Sequence, residues 1–340
     1  MIDIVSLSKP EIEKYVLSIG EKKYRASQIY DYINKGIRSF EDMSTLPKAL
    51  RSKLEEDFDI YKPEVVSKQE SSDGTIKFLW KLRDGNAVET VVMRYKYGNT
   101  VCISTQIGCR QGCAFCASTI GGLVRCLTPA EMLDEVLFSQ YESKQNISNI
   151  VLMGIGEPLD NFDNVVEFLK LVNSEDGMNI GMRHITISTC GITEKFDDLA
   201  DLNYQFTLAV SLHAPDDETR SKLMPANRGR GVDTLISKCE EYYKKTGRRI
   251  TFEYALIDKV NDNAFQAKLL SVYAKKLNAH INLIPLNYVS ERDLMPSSDE
   301  RIKEFTGILD KNGVNYTLRR KLGGDLNASC GQLRRQYIAP

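Results

Sequence analysis

The most constraining feature of this chain is an alternation, after residue 98, of short apolar runs with amphipathic segments. The runs have the length and flanking turn residues of buried strands, and they span residues 101–105, 150–153, 184–188, 206–212, 250–257 and 281–284. The first intervening helix has a strong start signal, because Thr128, Pro129 and Glu131 form a capping box. Six such units predict an α/β fold, and since a closed barrel needs eight, we expect a partial (βα)6 barrel. We expect a seventh strand at 316–319.

The residues before this repeat show two other patterns. Residues 1–62 have apolar side chains at helical spacing, as in Ile12, Val16 and Ile19, and predict a helical accessory module. Residues 63–94 alternate apolar and polar side chains on both sides of a turn at 83–86, which predicts a β-hairpin linker. The remaining residues, 95–340, are expected to form the barrel domain.

Charge and composition limit the classes of function. Lys and Arg number 45 and Asp and Glu 46, which gives a net charge of -1, so any contact with nucleic acid must be local. No run approaches 18 uninterrupted apolar residues, and the N-terminal segment is interspersed with charges, so we expect no membrane span and a cytoplasmic protein. The eight cysteines are then expected to be free, metal-bound or catalytic rather than a disulfide framework.

Three of these cysteines follow the first predicted strand with the spacing C-x3-C-x2-C. Cys109, Cys113 and Cys116 place three thiols on one loop. A structural zinc site usually has four ligands, and the chain has no second CxxC and only three histidines. A [4Fe-4S] cluster with three protein ligands and one open iron fits better. The spacing resembles that of the radical S-adenosylmethionine (SAM) superfamily, in which SAM chelates the open iron; zinc-bound or unmetallated structural cysteines are the alternative.

Residues that close the other predicted strands are candidates for binding SAM, because ligands of such folds bind at the carboxyl ends of the strands. The resemblance implies that Gly156 and Glu157 line the SAM amino group, although glycine also suits a tight turn. The remaining candidates come after later strands and are Ser188, Ser211, Leu212, His213 and Asn287. A packing role for His213 and a turn-forming role for Asn287 are the structural alternatives.

Two further cysteines are candidates for chemistry. Cys102 lies in the first predicted strand, where a buried small apolar residue is the alternative interpretation. Cys330 lies between small residues and a glycine, which leaves its thiol sterically open. The others are expected to be structural: Cys126, Cys190 and Cys239.

Together these residues resemble the RlmN/Cfr family of radical SAM RNA methyltransferases over nearly the whole chain. The segments that carry the resemblance are 89–93, 102–116, 153–159, 187–191, 211–215, 222–225, 284–287 and 328–333. The resemblance implies that residues 1–62 are an accessory RNA-binding module and that residues 95–340 are the catalytic core. It implies that one SAM methylates Cys330 and that a second SAM is cleaved reductively, so that two are used per turnover. It also implies that Cys102 resolves the protein–RNA crosslink by forming a disulfide with Cys330, and that Glu89 accepts a proton.

The resemblance also implies the substrates. The segments 188–191 and 284–298 are closer to RlmN, which implies methylation of adenosine C2 in the peptidyl-transferase loop of 23S rRNA and, in tRNA, 3′ of the anticodon. The alternative within the family is Cfr-like methylation of adenine C8 in 23S rRNA. The alternative from another class is a non-enzymatic iron–sulfur electron carrier or RNA-binding assembly factor. We further expect a flavodoxin or ferredoxin-type reductant and a monomeric protein.

A basic excess lies at the C-terminal end, where residues 301–340 carry eight Lys or Arg and three Asp or Glu. Five of these cations bracket Cys330: Arg319, Arg320, Lys321, Arg334 and Arg335. We expect them to bind RNA phosphates where a flipped nucleotide enters, although such a run is usually a solvated face.

Overall fold

Helices form the N-terminal part of the chain, as the spacing of its apolar residues predicts. The computed structural model describes residues 1–287, Val289, 291–319, Leu333, Arg334 and Tyr337. The N-terminal elements are β1 (Ile2–Asp3), α1 (Lys9–Ser18), α2 (Tyr24–Asn34), α3 (Lys48–Asp57) and β2 (Phe58–Asp59). The two short strands pair in parallel and so bring both ends of this part together.

An antiparallel group of strands comes next: β3 (Glu64–Glu70), β4 (Ile76–Lys81), β5 (Ala87–Tyr95) and β6 (Gly98–Cys102). The predicted hairpin is the β4–β5 pair, and its turn holds Gly85 at φ 80°, which glycine adopts without strain. The hairpin is also part of a larger sheet, because β5 pairs with β4 on one edge and with β6 on the other.

A small antiparallel pair frames the cysteine loop, and the first long helix follows it. The pair is β7 (Gln106–Gly108) with β8 (Leu123–Cys126), and the helix is α4 (Pro129–Ser143). The predicted capping box is confirmed, since Glu131 N–H donates to Thr128 Oγ1 at 3.2 Å and Thr128 N–H donates to Glu131 Oε2 at 2.9 Å.

Strands and helices then alternate through the rest of the described chain. They are β9 (Ile147–Leu152), α5 (Phe162–Asn173), β10 (Ile185–Thr189), α6 (Phe196–Asp201), β11 (Thr207–Ser211), α7 (Asp217–Leu223), α8 (Val232–Thr246), β12 (Thr251–Leu256), α9 (Ala264–Lys276), β13 (His280–Pro285), α10 (Asp299–Lys311) and β14 (Tyr316–Leu318). The order in the sheet is β14-β13-β12-β11-β10-β9-β6-β5-β4-β3, with parallel pairing from β6 to β14. Among the described residues β3 and β14 remain the two ends of the sheet, so the predicted partial barrel and its seventh strand are confirmed.

The first barrel strand lies earlier than the predicted range 101–105, because β6 ends at Cys102. Beyond that point the Ser104 N–H donates to the buried carboxylate of Glu135, at 3.1 Å from Oε2, instead of to a neighbouring strand. The Ser104 hydroxyl donates to the carbonyl of Glu89 at 2.9 Å. A buried side-chain acceptor therefore ends the strand, and the apolar pattern of the sequence does not reveal it.

One apolar core joins the N-terminal helices to the outer face of the sheet. Within this contact Arg38 forms an ion pair with Asp134 of α4, and the exposed fractions of the two side chains are 1% and 7%. Burial raises the pKa of Asp134 to about 6. Over the part of the chain that the structure describes, no helix combines the length and the apolar character needed to cross a bilayer.

Candidate active site

A cavity of about 350 Å³ lies at the carboxyl ends of the parallel strands. Parallel strands bring these ends to one edge of a sheet, so side chains that are distant in the sequence meet there. All three cysteines of the predicted cluster loop line this cavity. Six of the seven predicted SAM contacts also line it: Gly156, Glu157, Ser188, Ser211, His213 and Asn287.

The side chain of Leu212, the seventh predicted SAM contact, points away from the cavity. It is fully buried in the main core, whereas Ser211 and His213 on either side of it line the cavity. β11 ends at Ser211, and His213 has a left-handed backbone with a φ of 53°. The backbone N–H of Leu212 donates to the carbonyl of Glu253 at 3.1 Å. The expected SAM contact therefore cannot come from the side chain of Leu212 in this arrangement.

The backbone of the cysteine loop is fixed where it leaves β7. Cys109 N–H donates to the carbonyl of Gly122 at 3.0 Å. Gly108 has a φ of 77°, and a Cβ atom at this position would lie 1.9 Å from the same carbonyl oxygen. Glycine at 108 is therefore required for this approach, which directs the following thiols into the cavity.

The thiols of this loop are buried in a way that suits metal ligands. Burial raises the pKa of Cys109 to about 12, and it raises the pKa of Cys113 well above the usual range of a thiol. Such thiols stay protonated unless a cation stabilises the thiolate, which a coordinated metal does. No three His, Cys, Asp or Glu side chains of the described residues form a single-ion site. A four-iron cluster can bind each thiolate at a different iron, so three thiols around one cavity fit it.

Glu157 is buried in the cavity wall, and backbone groups fix the orientation of its carboxylate. Oε1 accepts the N–H of Leu159 at 3.0 Å, and Oε2 accepts the N–H of Cys190 at 2.7 Å. Burial raises the pKa of Glu157, and these hydrogen bonds oppose the rise. The preceding Gly156 has a φ of 112°, and a Cβ atom there would lie 2.6 Å from Cβ of Gln106. The result is an oriented carboxylate that can bind a cationic group of a ligand.

His213 both packs within the protein and lines the cavity. Its Nδ1 accepts the N–H of Ala255 at 2.9 Å, so the neutral ring carries its proton on Nε2. Burial, reinforced by the charge of Arg220, lowers the pKa of His213 to about 3. Phe115 of the cysteine loop packs edge-on against the imidazole, with ring centroids 4.7 Å apart. His213 is therefore a neutral hydrogen-bond donor at physiological pH, held against the cluster loop.

Arg220 of α7 is a residue that sequence reasoning missed. It is 1% exposed, and its guanidinium donates to the carbonyls of Ser211 at 2.7 Å and Cys190 at 2.6 Å, and to that of Leu212. It also donates to Asn227 Oδ1 at 3.1 Å. One side chain therefore ties together the segments that leave β10 and β11, both of which line the cavity.

Cys102 faces the same cavity from the end of β6. It is 6% exposed and packs with Val91 and Met93 of β5, which also line the cavity. The sheet thereby brings a fourth thiol to the cavity that holds the cluster loop, as the sequence predicted it could.

Glu89 lies on β5 two residues before Val91, and strand alternation gives the two residues the same face. It is not among the described residues that line the cavity. Its Oε2 lies 2.9 Å from Nζ of Lys77, and both side chains are almost fully buried. Its Oε1 accepts the N–H of Arg334 at 2.5 Å. The Glu89 carboxylate is therefore held in place by an ammonium group and a backbone N–H.

Glu253 and Cys190 are cavity residues that the sequence did not single out. Burial raises the pKa of Glu253 to about 7, while Arg319 and a hydrogen bond from Asn282 act in the opposite direction. Asn282 Nδ2 donates to Glu253 Oε2 at 2.8 Å. Cys190, which was expected to be structural, is 6% exposed at the cavity wall. Both residues read as ordinary strand or turn positions, and the sequence has no local signal for them.

Cys330 lies outside the described residues, as do three of the cations expected to flank it: Arg320, Lys321 and Arg335. The flanking residues that are described both contact the site, since Arg319 lines the cavity and Arg334 contacts Glu89. The expectation that Arg334 binds phosphate is wrong for this arrangement. Arg334 is 6% exposed, and its Nε donates to the carbonyl of Ala87 at 2.9 Å.

Comparison with known proteins gives likenesses over the whole chain. A model of the radical SAM superfamily matches residues 103–269, and a model of the ribosomal RNA large subunit methyltransferase N-terminal domain matches residues 2–60. Proteins of Clostridium tetani and Clostridium acetobutylicum, each named probable dual-specificity RNA methyltransferase RlmN, are 51% and 50% identical over 339 residues. Those alignments cover 99% of this chain and 97% and 98% of the relatives.

A solved structure agrees with the same grouping. The crystal structure of a radical SAM methyltransferase from Sphaerobacter thermophilus superposes with a TM-score of 0.92 at 40% sequence identity. The superposition covers 98% of this chain and 99% of the other. The superposed region therefore includes the N-terminal helices, the antiparallel strands and the partial barrel.

Proposed function

This chain belongs to the RlmN family of radical SAM RNA methyltransferases, and from that premise we propose that it methylates C2 of adenosine in two RNAs. The proposed sites are the peptidyl-transferase loop of 23S rRNA and the adenosine 3′ of the anticodon in tRNA, with the cytoplasm as the place of action. The observation that carries the proposal is that Cys102 shares one cavity with the three-thiol loop. An electron carrier needs only the loop, whereas a covalent methyl transfer needs further thiols.

The residues of the cavity are suited to the two cofactors that this chemistry needs. Cys109, Cys113 and Cys116 would hold a [4Fe-4S] cluster, which, when bound together with SAM, supplies one-electron cleavage of SAM. Glu157 would bind the SAM ammonium group with its oriented carboxylate. His213 would donate a hydrogen bond from Nε2, because Nδ1 is already used by the backbone.

The chemistry of the substrate explains the additional thiols. Adenine C2 is electron-poor and has no nucleophilic lone pair, so a polar methyl transfer to it is unfavourable. We propose that Cys330 carries the methyl group and becomes linked through its carbon to C2. One methyl carbon–hydrogen bond and the C2–hydrogen bond break: the bound cofactors would take up the methyl hydrogen atom and one electron, and the hydrogen of C2 leaves as a proton. Cys102 then attacks the sulfur of Cys330: a sulfur–sulfur bond forms, the sulfur–carbon bond breaks, and the carbon keeps the electron pair and takes up a proton.

Glu89 is the proposed acceptor of the proton that leaves C2. Lys77 and the N–H of Arg334 hold this carboxylate in a fixed orientation, and a positioned carboxylate can act as a general base. The contact between Glu89 and the N–H of Arg334 supports a position of this carboxylate near the segment that carries Cys330. We propose a flavodoxin or ferredoxin-type protein as electron donor and a monomer as the active species.

Product analysis tests the proposed function. The holoprotein, reconstituted anaerobically with iron and sulfide, is given SAM, a low-potential reductant and either a 23S rRNA fragment or tRNA. Digested RNA is then analysed by mass spectrometry against 2-methyladenosine and 8-methyladenosine standards. We expect 2-methyladenosine from the wild type and from Cys126→Ala, whose thiol lies outside the cavity lining, and neither cluster absorbance nor product from Cys113→Ala.

Each other outcome selects an alternative. If 8-methyladenosine is the sole product, the Cfr-like alternative replaces the proposal. If the loaded protein binds no SAM and modifies neither RNA, a non-enzymatic iron–sulfur carrier or RNA-binding assembly factor replaces it.

A further inference from the structure

The turn between β5 and β6 carries two stacked tyrosines at the protein surface. The rings of Tyr95 and Tyr97 have centroids 5.0 Å apart and an interplanar angle of 8°. Tyr97 is 73% exposed, the largest exposed fraction of any described aromatic residue. One face of its ring rests on Tyr95, so the opposite face is open to solvent.

This tyrosine pair is connected to the cavity by direct contacts. The hydroxyl of Tyr95 lies 3.7 Å from Sδ of Met93, and Nη2 of Arg319 lies 3.8 Å from the same sulfur. Both Met93 and Arg319 line the cavity. The tyrosines therefore stand at the side of the cavity that Cys102, the packing partner of Met93, also lines.

Cations flank the same pair. Arg94 and Lys96 are exposed. Lys96 lies between the two tyrosines in the turn, whereas Arg94 lies on the other face of β5 with its side chain over Gly74. Across the described residues, neither of them forms an ion pair with a carboxylate. Flat aromatic faces interleaved with uncompensated cations are the combination by which proteins bind single-stranded nucleic acid, with bases stacking on the rings and phosphates meeting the cations.

We propose that Tyr97 stacks on the nucleobase adjacent to the target adenosine, while Lys96 contacts a neighbouring phosphate. The proposal rests on the proposed function, because it takes the cavity as the place that receives the target base. A base that is extruded into a pocket leaves its neighbour without a stacking partner on one side, and an exposed tyrosine at the cavity edge can replace that partner. A chain with a net charge of -1 also needs such local contacts to hold RNA.

The test uses cluster-loaded holoprotein without SAM, so that no turnover occurs, and an RNA stem-loop with 2-aminopurine next to the target adenosine. Stacking quenches 2-aminopurine fluorescence, and anisotropy of a labelled copy gives the Kd. We expect Tyr97→Ala to lose the quenching and to raise the Kd about tenfold, which corresponds to about 1.4 kcal/mol per stacked base. Tyr97→Phe should stay within about twofold of the wild type, because stacking uses the ring and not the hydroxyl.

A matched control is Phe265→Ala, which removes another exposed aromatic ring, 62% exposed on α9, and should leave both readouts unchanged. Lys96→Ala should lower the slope of log Kd against log salt by about 0.7, the value for one phosphate contact of a single strand. Unchanged Kd and quenching in Tyr97→Ala would overturn the proposal, and so would an equal loss in Tyr97→Phe. Failure of the proposed function is a separate result, since it appears as an absence of methyladenosine from the wild-type protein.

Discussion

Replacing Arg220 with methionine should disorder the carboxyl ends of two barrel strands at once. The methionine keeps much of the volume of the arginine stem but has no hydrogen-bond donor. The variant therefore removes the guanidinium from the carbonyls of Cys190, Ser211 and Leu212 and from the side chain of Asn227.

The expected loss in the free energy of unfolding follows from the number of hydrogen-bond acceptors that lose the Arg220 guanidinium. Four buried acceptors at about 1 kcal/mol each give a loss of about 4 kcal/mol, which is an approximately 10³-fold change in the folding equilibrium. Removing the buried charge offsets part of this loss, because burial lowers the pKa of Arg220 to about 10 although neighbouring groups such as Asp217 act in the opposite direction, and this shift reflects a cost of keeping the guanidinium charged. A chain of 340 residues has an unfolding entropy of roughly 0.7 kcal/mol per degree, so we expect the melting temperature to fall by roughly 4 °C.

Two assays check the effect on stability and on the site. Thermal unfolding gives the melting temperature, and calorimetry at 20 °C, where the variant remains folded, gives the SAM affinity of the cluster-loaded protein. Arg220→Met should bind SAM at least about tenfold more weakly, because Ser211 and Cys190 line the cavity. Arg220→Lys tests geometry, since lysine keeps the charge but cannot span the carbonyls with a fork of donors.

The control is Lys222→Met, two residues further along α7, where the cation is exposed and pairs with Glu218 at 2.7 Å. It should leave the melting temperature and the SAM affinity at wild-type values. The reasoning would be refuted if Arg220→Met kept both quantities of the wild type, or if Lys222→Met changed them as much.

Three further predictions concern single residues of the cavity. Cys102→Ala should accumulate a covalent protein–RNA species on denaturing gels, because no thiol resolves the adduct; free methylated RNA at wild-type yield would contradict this. Burial raises the pKa of Glu253 from 4.5 to about 7 in the folded protein, so ionising this group destabilises the fold. As the pH rises from 4.5 through 7, the wild type should lose up to about 3 kcal/mol of stability relative to Glu253→Gln. Denaturation at several pH values measures this difference. A parallel pH profile of the two proteins would disprove the assignment. Gly156→Ala should abolish SAM binding measured by calorimetry, since its Cβ would lie 2.6 Å from Cβ of Gln106, whereas Gly307→Ala, with nothing within 4 Å, should bind normally.

Local features of the sequence were sufficient for the capping box, the hairpin and the position of the cysteine loop. The capping box at Thr128 depends on residues three positions apart, and the hairpin depends on a turn flanked by alternating side chains. The C-x3-C-x2-C spacing is contained in eight residues that follow one strand. Such signals survive in the sequence because the atoms that interact are neighbours along the chain.

Other site residues could be expected only from the family resemblance or were missed altogether. Glu157 and His213 were expected from the segments that resemble the family, and both line the cavity. Arg220 lies between two of those segments, within a run of charged residues that reads as a solvated helix face. Its burial depends on which way the short helix α7 faces the strand ends, and no pattern within seven residues decides this.

Side-chain direction at the site was decided by the tertiary structure. Lys77 contacts Glu89 because the register of β4 and β5 places Lys77 opposite Val91, which lies two residues from Glu89 on the same face of β5. The pattern of the hairpin alone does not show that this face is buried. Arg334 turns inward because the backbone carbonyl of Ala87 and the carboxylate of Glu89 provide acceptors there, although the sequence around it reads as a basic surface. The contacts of Arg334 join residues more than 200 positions apart, so their energy depends on strand register and sheet order rather than on the sequence near either partner.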